Sequence, residues 1–227
     1  MTILAMETTQ GACSVAISRA GTLLAQEFVV MQRGHAEHLL PMVETVRRRA
    51  GVSFAALGMI AVTVGPGTFT GVRVGLAAAR ALALVHKVPI LGVGTLELLA
   101  RAAVDMSQPD GTGILAAIDA RRGELYIQGF DAGGVPLTGA MVVPAADAGG
   151  KGAAHMVLPG IKTGFLVGTG AHLLQSDLPE WRVNDEIVLP DAAVLAQAAD
   201  LWRHRAGHVP PAPLYLRAPD AKLPAHG

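Results

Sequence analysis

The stretch Gly65-Pro-Gly-Thr-Phe-Thr-Gly-Val-Arg-Val-Gly-Leu76 decides how this chain is read. An apolar run, Met59 to Val64, leads into it with the length and β-branched content of a buried strand. Behind it, Val72 to Lys87 reads as a helix, and Thr68 or Thr70 is placed to cap it by accepting a bond from an orphan N–H. Gly65, Gly67 and Gly71 let the backbone turn sharply and come close to something. One reading puts an anion there, at the helix N-terminus. The other is a compact strand-to-helix corner whose glycines only relieve crowding. Two phosphate loops are excluded: Gly71 is followed by Val72 and Arg73 rather than Lys-Ser/Thr, and Thr70 stands where a dinucleotide fingerprint needs glycine.

From Val72 to Val85 the only charged residues are Arg73 and Arg80, which fall on one side of the helix. A helix apolar nearly all round is buried on several sides. Its many small residues, such as Gly75, Ala77, Ala78 and Ala81, also permit close approach of a second helix. It is therefore either a central core helix or one shared with a partner chain. Its shortness and two arginines argue against a membrane span.

Composition bounds the rest. A chain of 227 residues buries a real core and suits one two-lobed domain or two small ones. Lys+Arg and Asp+Glu both number 18, so no net basic field exists to hold nucleic acid unaided. Charged residues make up only 16% and hydrophobic ones 51%, an under-charged surface for a monomer. The single cysteine, Cys13, excludes an internal disulfide and suits a reducing compartment. With no basic n-region and no long apolar run, a soluble cytoplasmic protein is expected.

In chain order, Thr2–Met6, Cys13–Ser18 and Thr22–Val30 read as an antiparallel meander. Glu7-Thr8-Thr9 at its first tip suits either a metal–phosphate site or simple turn chemistry. Gly34 to Ala50 reads as a helix closed by Gly51, with Pro41 in its first turn or kinking it. His35 and His38 lack a third ligand and read better as an exposed first turn than as a metal pair. Val88–Gly92 is a short strand, and Thr95 caps a helix to about Val104. The first lobe spans 1–105, with the boundary in the turn-rich 106–113. The second lobe, 106–227, opens with a hairpin, Ile114–Ile118 and Glu124–Phe130. Asp119, Arg121, Arg122 and Glu124 in its loop either bind a ligand or form a local ion-pair cluster. Residues 131–163 resist assignment, and Gly168-Thr-Gly170 is a weak nucleotide signal after a strand from Phe165. Asp191 caps a last helix, 191–206, placed to pack back on the first lobe, before Pro210–Arg217 runs extended. No repeat is visible in the residue spelling. The fold class is α/β, a mixed sheet with helices packed on it.

Glu7-Thr8-Thr9 with Ala12–Ala16, the 65–73 loop and Ala117–Tyr126, together with His35…Leu39-Leu40-Pro41 and Pro213-Leu-Tyr-Leu-Arg217, resemble the TsaB (YeaZ) family. The resemblance covers nearly the whole chain apart from 131–163. It implies a two-lobed fold related to actin, hexokinase and Hsp70. It also implies membership of the bacterial machinery that makes N6-threonylcarbamoyladenosine in tRNA beside the anticodon. In that family the subunit is not the transferase: it pairs with a TsaD catalytic subunit, and the ATPase TsaE joins the pair. The resemblance thus implies no catalytic residue, metal or intrinsic cofactor here, any ATP lying at the complex interface, and tRNA met only through the complex. First-lobe helices form the family's inter-subunit contact, which places Leu39, Val43, Val46, Val72, Leu76 and Ala79 near it, with Arg73 and Arg80 as polar anchors. Two departures matter: Glu7 stands where the family usually has Asp, and His35-x-x-His38 replaces the catalytic relative's His-x-x-x-His.

The rival reading is a nucleotide-binding phosphotransferase or ATPase of the same superfold. It would use Glu7, Thr8, Thr9, Gly65, Gly67, Thr70 and Gly71 as phosphate contacts, with Gly168–Gly170 behind them. A third reading is a homodimer through the same apolar helix.

Overall fold

The computed structural model describes residues 1–104, 112–148, 157–158, 160–207 and 211–217. The first strands are β1 (Thr2–Glu7), β2 (Ala12–Arg19) and β3 (Thr22–Val30). They form the expected meander, with β1 one residue longer at its end, β2 one residue longer at both ends and β3 as expected. Helix α1 (His35–Arg49) follows, then β4 (Met59–Thr63), α2 (Phe69–His86), β5 (Ile90–Val93) and α3 (Thr95–Ala103). The second half supplies β6 (Gly113–Arg121), β7 (Glu124–Asp131), β8 (Met141–Pro144), β9 (Gly164–Val167), α4 (Ala171–Leu174), β10 (Trp181–Val183) and α5 (Ala192–Ala198). The expected lobe boundary at 106–113 lies almost wholly outside the described residues.

Among the described residues the strands build two five-stranded sheets, ordered β3-β2-β1-β4-β5 and β8-β7-β6-β9-β10. In both, three antiparallel strands are followed by two parallel ones beside the first strand. The two halves therefore repeat one topology although their residues do not.

Strand periodicity explains the layers. Leu4 and Met6 of β1 face a core shared with α1 and α2, whereas Ile3 and Ala5 face a second core closed by α5. Helix α3 lies between the sheets: Leu98 joins the α5 core, and Leu96, Leu99 and Ala100 pack on Ile114, Ala116 and Ile118 of β6.

Local signals set the helix ends. Thr68, not Thr70, caps α2 by accepting from Gly71 N, so the helix begins three residues earlier than Val72. At 18 residues with mean hydropathy 1.2 it is long and apolar enough to cross a membrane by length and composition, contrary to the expectation of shortness. It lies instead along the first sheet, with Val72, Leu76, Ala79 and Ala83 in the core. Gly51, at φ +63°, closes α1 with bonds from its own N to Arg48 O and from Val52 N to Arg47 O, a Schellman ending. Pro41 sits past the first turn, and the helix continues through it. Gly94 is the N-cap of α3 and its N–H donates to the Glu97 carboxylate at 2.9 Å, so Thr95 is the first helical residue rather than the cap.

The last helix returns to the first sheet. Ala192 N donates to the buried Ser14 hydroxyl at 2.9 Å, and the Ser18 hydroxyl donates to Ala196 O at 2.6 Å. Asp191 caps it through Ala193 N. Ser14→Ala leaves the Ala192 N–H buried without its acceptor and is expected to cost about 1–3 kcal/mol in urea unfolding. An unchanged midpoint would show that this staple does not hold α5.

Candidate functional site

The glycine loop and the Glu7-Thr8-Thr9 tip meet, and what the glycines approach is the chain's own backbone. A Cβ on Gly71 would stand 2.0 Å from Thr8 O, one on Gly67 2.3 Å from Thr9 O, and one on Gly75 2.7 Å from Thr8 Oγ1. The Thr8 hydroxyl donates to Gly71 O at 2.7 Å, and Thr68 N donates to Thr9 O at 2.8 Å. On this side the loop is a packed corner, not an open cradle. Thr70 is exposed and takes no part in the corner. Gly65, at φ +108°, faces Leu214 O instead, 2.7 Å from where its Cβ would be.

Glu7 is fully buried at the end of β1. Its Oε1 accepts from Thr9 N at 2.7 Å, from Thr63 Oγ1 at 3.2 Å and from the Thr9 hydroxyl, which also lies 3.1 Å from Thr95 Oγ1. Its Oε2 is buried without a hydrogen-bond partner. Burial pushes the carboxyl from an ordinary 4.5 up to about 7, against the lowering effect of those donors. Burial likewise raises Asp191. Among the described residues no group of three or more His, Cys, Asp or Glu is placed to hold a metal ion. His35 is buried, not exposed: its Nε2 stands 3.1 Å from both Gln10 O and Ala12 O. His38 is exposed.

The second glycine motif behaves like the first. Gly168 would place a Cβ 2.3 Å from Ala117 O, and Gly170 N donates to that same oxygen at 3.0 Å. Thr169 Oγ1 accepts from Asp119 N, and Asp119 in turn accepts from Arg121 N. The ion pair of the hairpin loop is made with a residue from outside it: Arg217 pairs with Glu124 and donates to Ala120 O and Arg121 O.

The anticipated contact residues need correcting. Leu39, Val43, Val46, Val72, Leu76 and Ala79 are at most 2% exposed and belong to the chain's own core. Side chains so enclosed have no surface to offer a partner. Only Arg73 and Arg80 of that group are exposed. On the outer face of α2, Ala77 and Ala81 are among the small residues expected to admit a second helix, whereas Leu84 and Val85, 81% and 71% exposed, were missed. Beside this face runs the segment 211–217. Leu214 N donates to Val64 O, Pro211 O accepts from Arg80 Nη2 at 2.9 Å, and the Tyr215 hydroxyl accepts from Arg73 Nε at 3.0 Å. The Arg73 guanidinium carbon lies 3.4 Å from the centre of the Phe69 ring. These contacts, with Arg217 at the hairpin, make the segment a strap from α2 to the second sheet.

Comparison with known proteins fits this architecture. The family described as TsaD, tRNA N6-adenosine threonylcarbamoyltransferase, matches residues 29–151, over half of the chain. The Escherichia coli tRNA threonylcarbamoyladenosine biosynthesis protein TsaB is 43% identical over 126 residues, 56% of this chain and 53% of that protein. The solved structure of YeaZ from Pseudomonas aeruginosa is 31% identical with a TM-score of 0.75, covering 95% of this chain and 99% of the other. The chain belongs to the TsaB/YeaZ family. It spans about half the length of the curated TsaB relatives it matches. Ethanolamine utilization protein EutJ from Carboxydothermus hydrogenoformans, 11% identical over 87% of this chain and 89% of the other at a TM-score of 0.50, shares the fold alone. The fold of this TsaB/YeaZ chain is thus α/β, with two mixed five-stranded sheets and helices packed on them.

The neutral Glu7 carboxyl has a pH signature. The folded state keeps its proton up to about pH 7 while the unfolded state loses it near 4.5. Stability therefore falls as pH rises through that window and is level above it. Relative to Glu7→Gln, the wild type is expected to lose on the order of 3 kcal/mol between those limits. Parallel urea-unfolding curves for the two proteins at pH 4.5 to 8 would contradict this.

Proposed function

We propose that this chain is a subunit of the machinery that makes N6-threonylcarbamoyladenosine in tRNA, and that it works by docking a TsaD-like catalytic chain on the outer face of α2. Family membership supports the pathway. The observation that carries the docking is the helix itself: its inner side is core, yet Ala77, Ala81, Leu84 and Val85 on its outer side meet solvent. An exposed apolar face on a helix this rich in small residues suits a second helix at close range. The chain's own chemistry is structural: Glu7 is enclosed by threonine donors, and both glycine motifs pack on backbone carbonyls. The even balance of 18 basic and 18 acidic residues supports tRNA contact mainly through the assembled complex, in the cytoplasm where tRNA is modified.

Light scattering on size-exclusion peaks tests this, with the 23.4 kDa chain alone and then mixed with the TsaD-like chain of the same cell. A new peak at the summed mass is expected. Burying one leucine is worth about 1.5–3 kcal/mol, so Leu84→Asp, which also buries a charge, should weaken the complex by about a hundredfold or more. Its unfolding midpoint should not move, because Leu84 is largely solvent-exposed. Full complex formation by Leu84→Asp would remove α2 from the interface.

A further inference from the structure

Helix α2 carries no acidic residue, and Arg73 and Arg80 stand on its exposed side seven residues apart. Seven residues of helix span about 10 Å, or two turns. Between the two arginines the face is lowered by Ala77, with Ala81 beside Arg80 and the apolar Leu84 and Val85 beyond. Each guanidinium is held by one nitrogen only: Arg73 Nε on the Tyr215 hydroxyl and Arg80 Nη2 on Pro211 O. Arg73 is further clamped under the Phe69 ring, with Tyr215 5.5 Å from that ring. The remaining N–H groups point to no acceptor among the described residues. Any partner that covers Ala77 and Leu84 also removes water from these donors. A buried guanidinium left unmatched costs more than the apolar contact returns, so the covering surface must bring acceptors.

Resting on the reading that α2 docks a TsaD-like chain, we infer that the surface it accepts is a helix bearing two carboxylates about two turns apart, separated by small or apolar residues. Carboxylates match the planar fork of arginine with paired hydrogen bonds. The spacing of Arg73 and Arg80 sets the register of the partner helix along α2, and the strap lessens the ordering cost by holding both arginines before contact. A second copy of this chain is the poorer occupant. It presents the same face, with two arginines and no carboxylate, and an isologous contact would oppose like charges. RNA phosphates would satisfy the arginines but not the exposed Leu84 and Val85 beyond them.

The test measures affinity of the full chain for the TsaD-like protein by calorimetry at several salt concentrations, for wild type, Arg73→Gln/Arg80→Gln and Leu84→Asp. The double variant is expected to bind at least about tenfold more weakly and to lose most of the salt dependence. If the double variant binds like wild type with the same salt dependence while Leu84→Asp fails to bind, the carboxylate pairing is wrong and the docking face stands. If Leu84→Asp also binds like wild type, the docking face itself is wrong. Were the double variant to change only self-association, or only affinity for tRNA added alone, the occupant would be a second copy or RNA, and the inference falls.

Discussion

The carbonyl oxygens of Thr8 and Thr9 face glycine Cα atoms on the opposite strand-to-helix corner, and no larger residue fits at Gly67 or Gly71. This contact sets how near α2 comes to β1, and much else follows from it. With the helix drawn down, Val72, Leu76 and Ala79 reach the core between α1, α2 and the sheet. Thr9, fixed in the same contact, meets the Thr95 hydroxyl where α3 begins. Because α3 packs on both sheets, the corner also governs the joint between the two halves. A methyl group on Gly71 would push against backbone, which cannot swing away as a side chain can.

The second sheet solves the same problem the same way. In each sheet a parallel strand lies beside the first strand of a meander and must leave the sheet close to it. In the first sheet the exit uses Gly67 and Gly71 against Thr8 and Thr9; in the second it uses Gly168 and Gly170 against Ala117. Glycine recurs because the strand order leaves no room for a Cβ, not because the two halves share sequence. They then diverge: β4 is followed by an 18-residue helix and β9 by one of 4. Among the described residues, only the first sheet carries a helix long enough to fill a core with one side and show a large apolar face on the other.

Much of this was legible in the chain. The meander, the glycine corner, α1 and its Gly51 ending, and the Asp191 cap all rest on short-range signals, and the structure keeps them within a residue or two. The side of α2 that faces out was marked only by Arg73 and Arg80. Val, Leu and Ala occupy both sides, so period alone separates two apolar faces without saying which one the sheet covers. Contact residues chosen by apolar spacing therefore fell on the inner face. Arg73 and Arg80 are exposed, because charge marks the wet side. The strap and its Arg217–Glu124 pair join positions 93 residues apart, beyond the reach of spacing rules. β8 was hidden for another reason: its four residues sit in a Gly-, Ala- and Pro-rich stretch and gain their order from pairing with β7.

Glu7 shows how the corner and the outer face are connected. A carboxylate that serves a bound cation needs to be ionised and reachable. Here Oε1 is filled by Thr9 and Thr63, Oε2 is sealed, and burial favours the neutral acid. Glutamate is one methylene longer than aspartate, and that length is what carries Oε1 to Thr63 on the neighbouring strand. The side chain thus binds the threonine tip into the sheet, and the tip in turn seats the glycines of α2. The same close seating turns Ala77, Ala81, Leu84 and Val85 outward, since a helix pressed against a sheet through its glycine side must show the opposite side to solvent. Enclosure of the carboxyl and exposure of the apolar face are therefore two consequences of one packing decision at the end of β1.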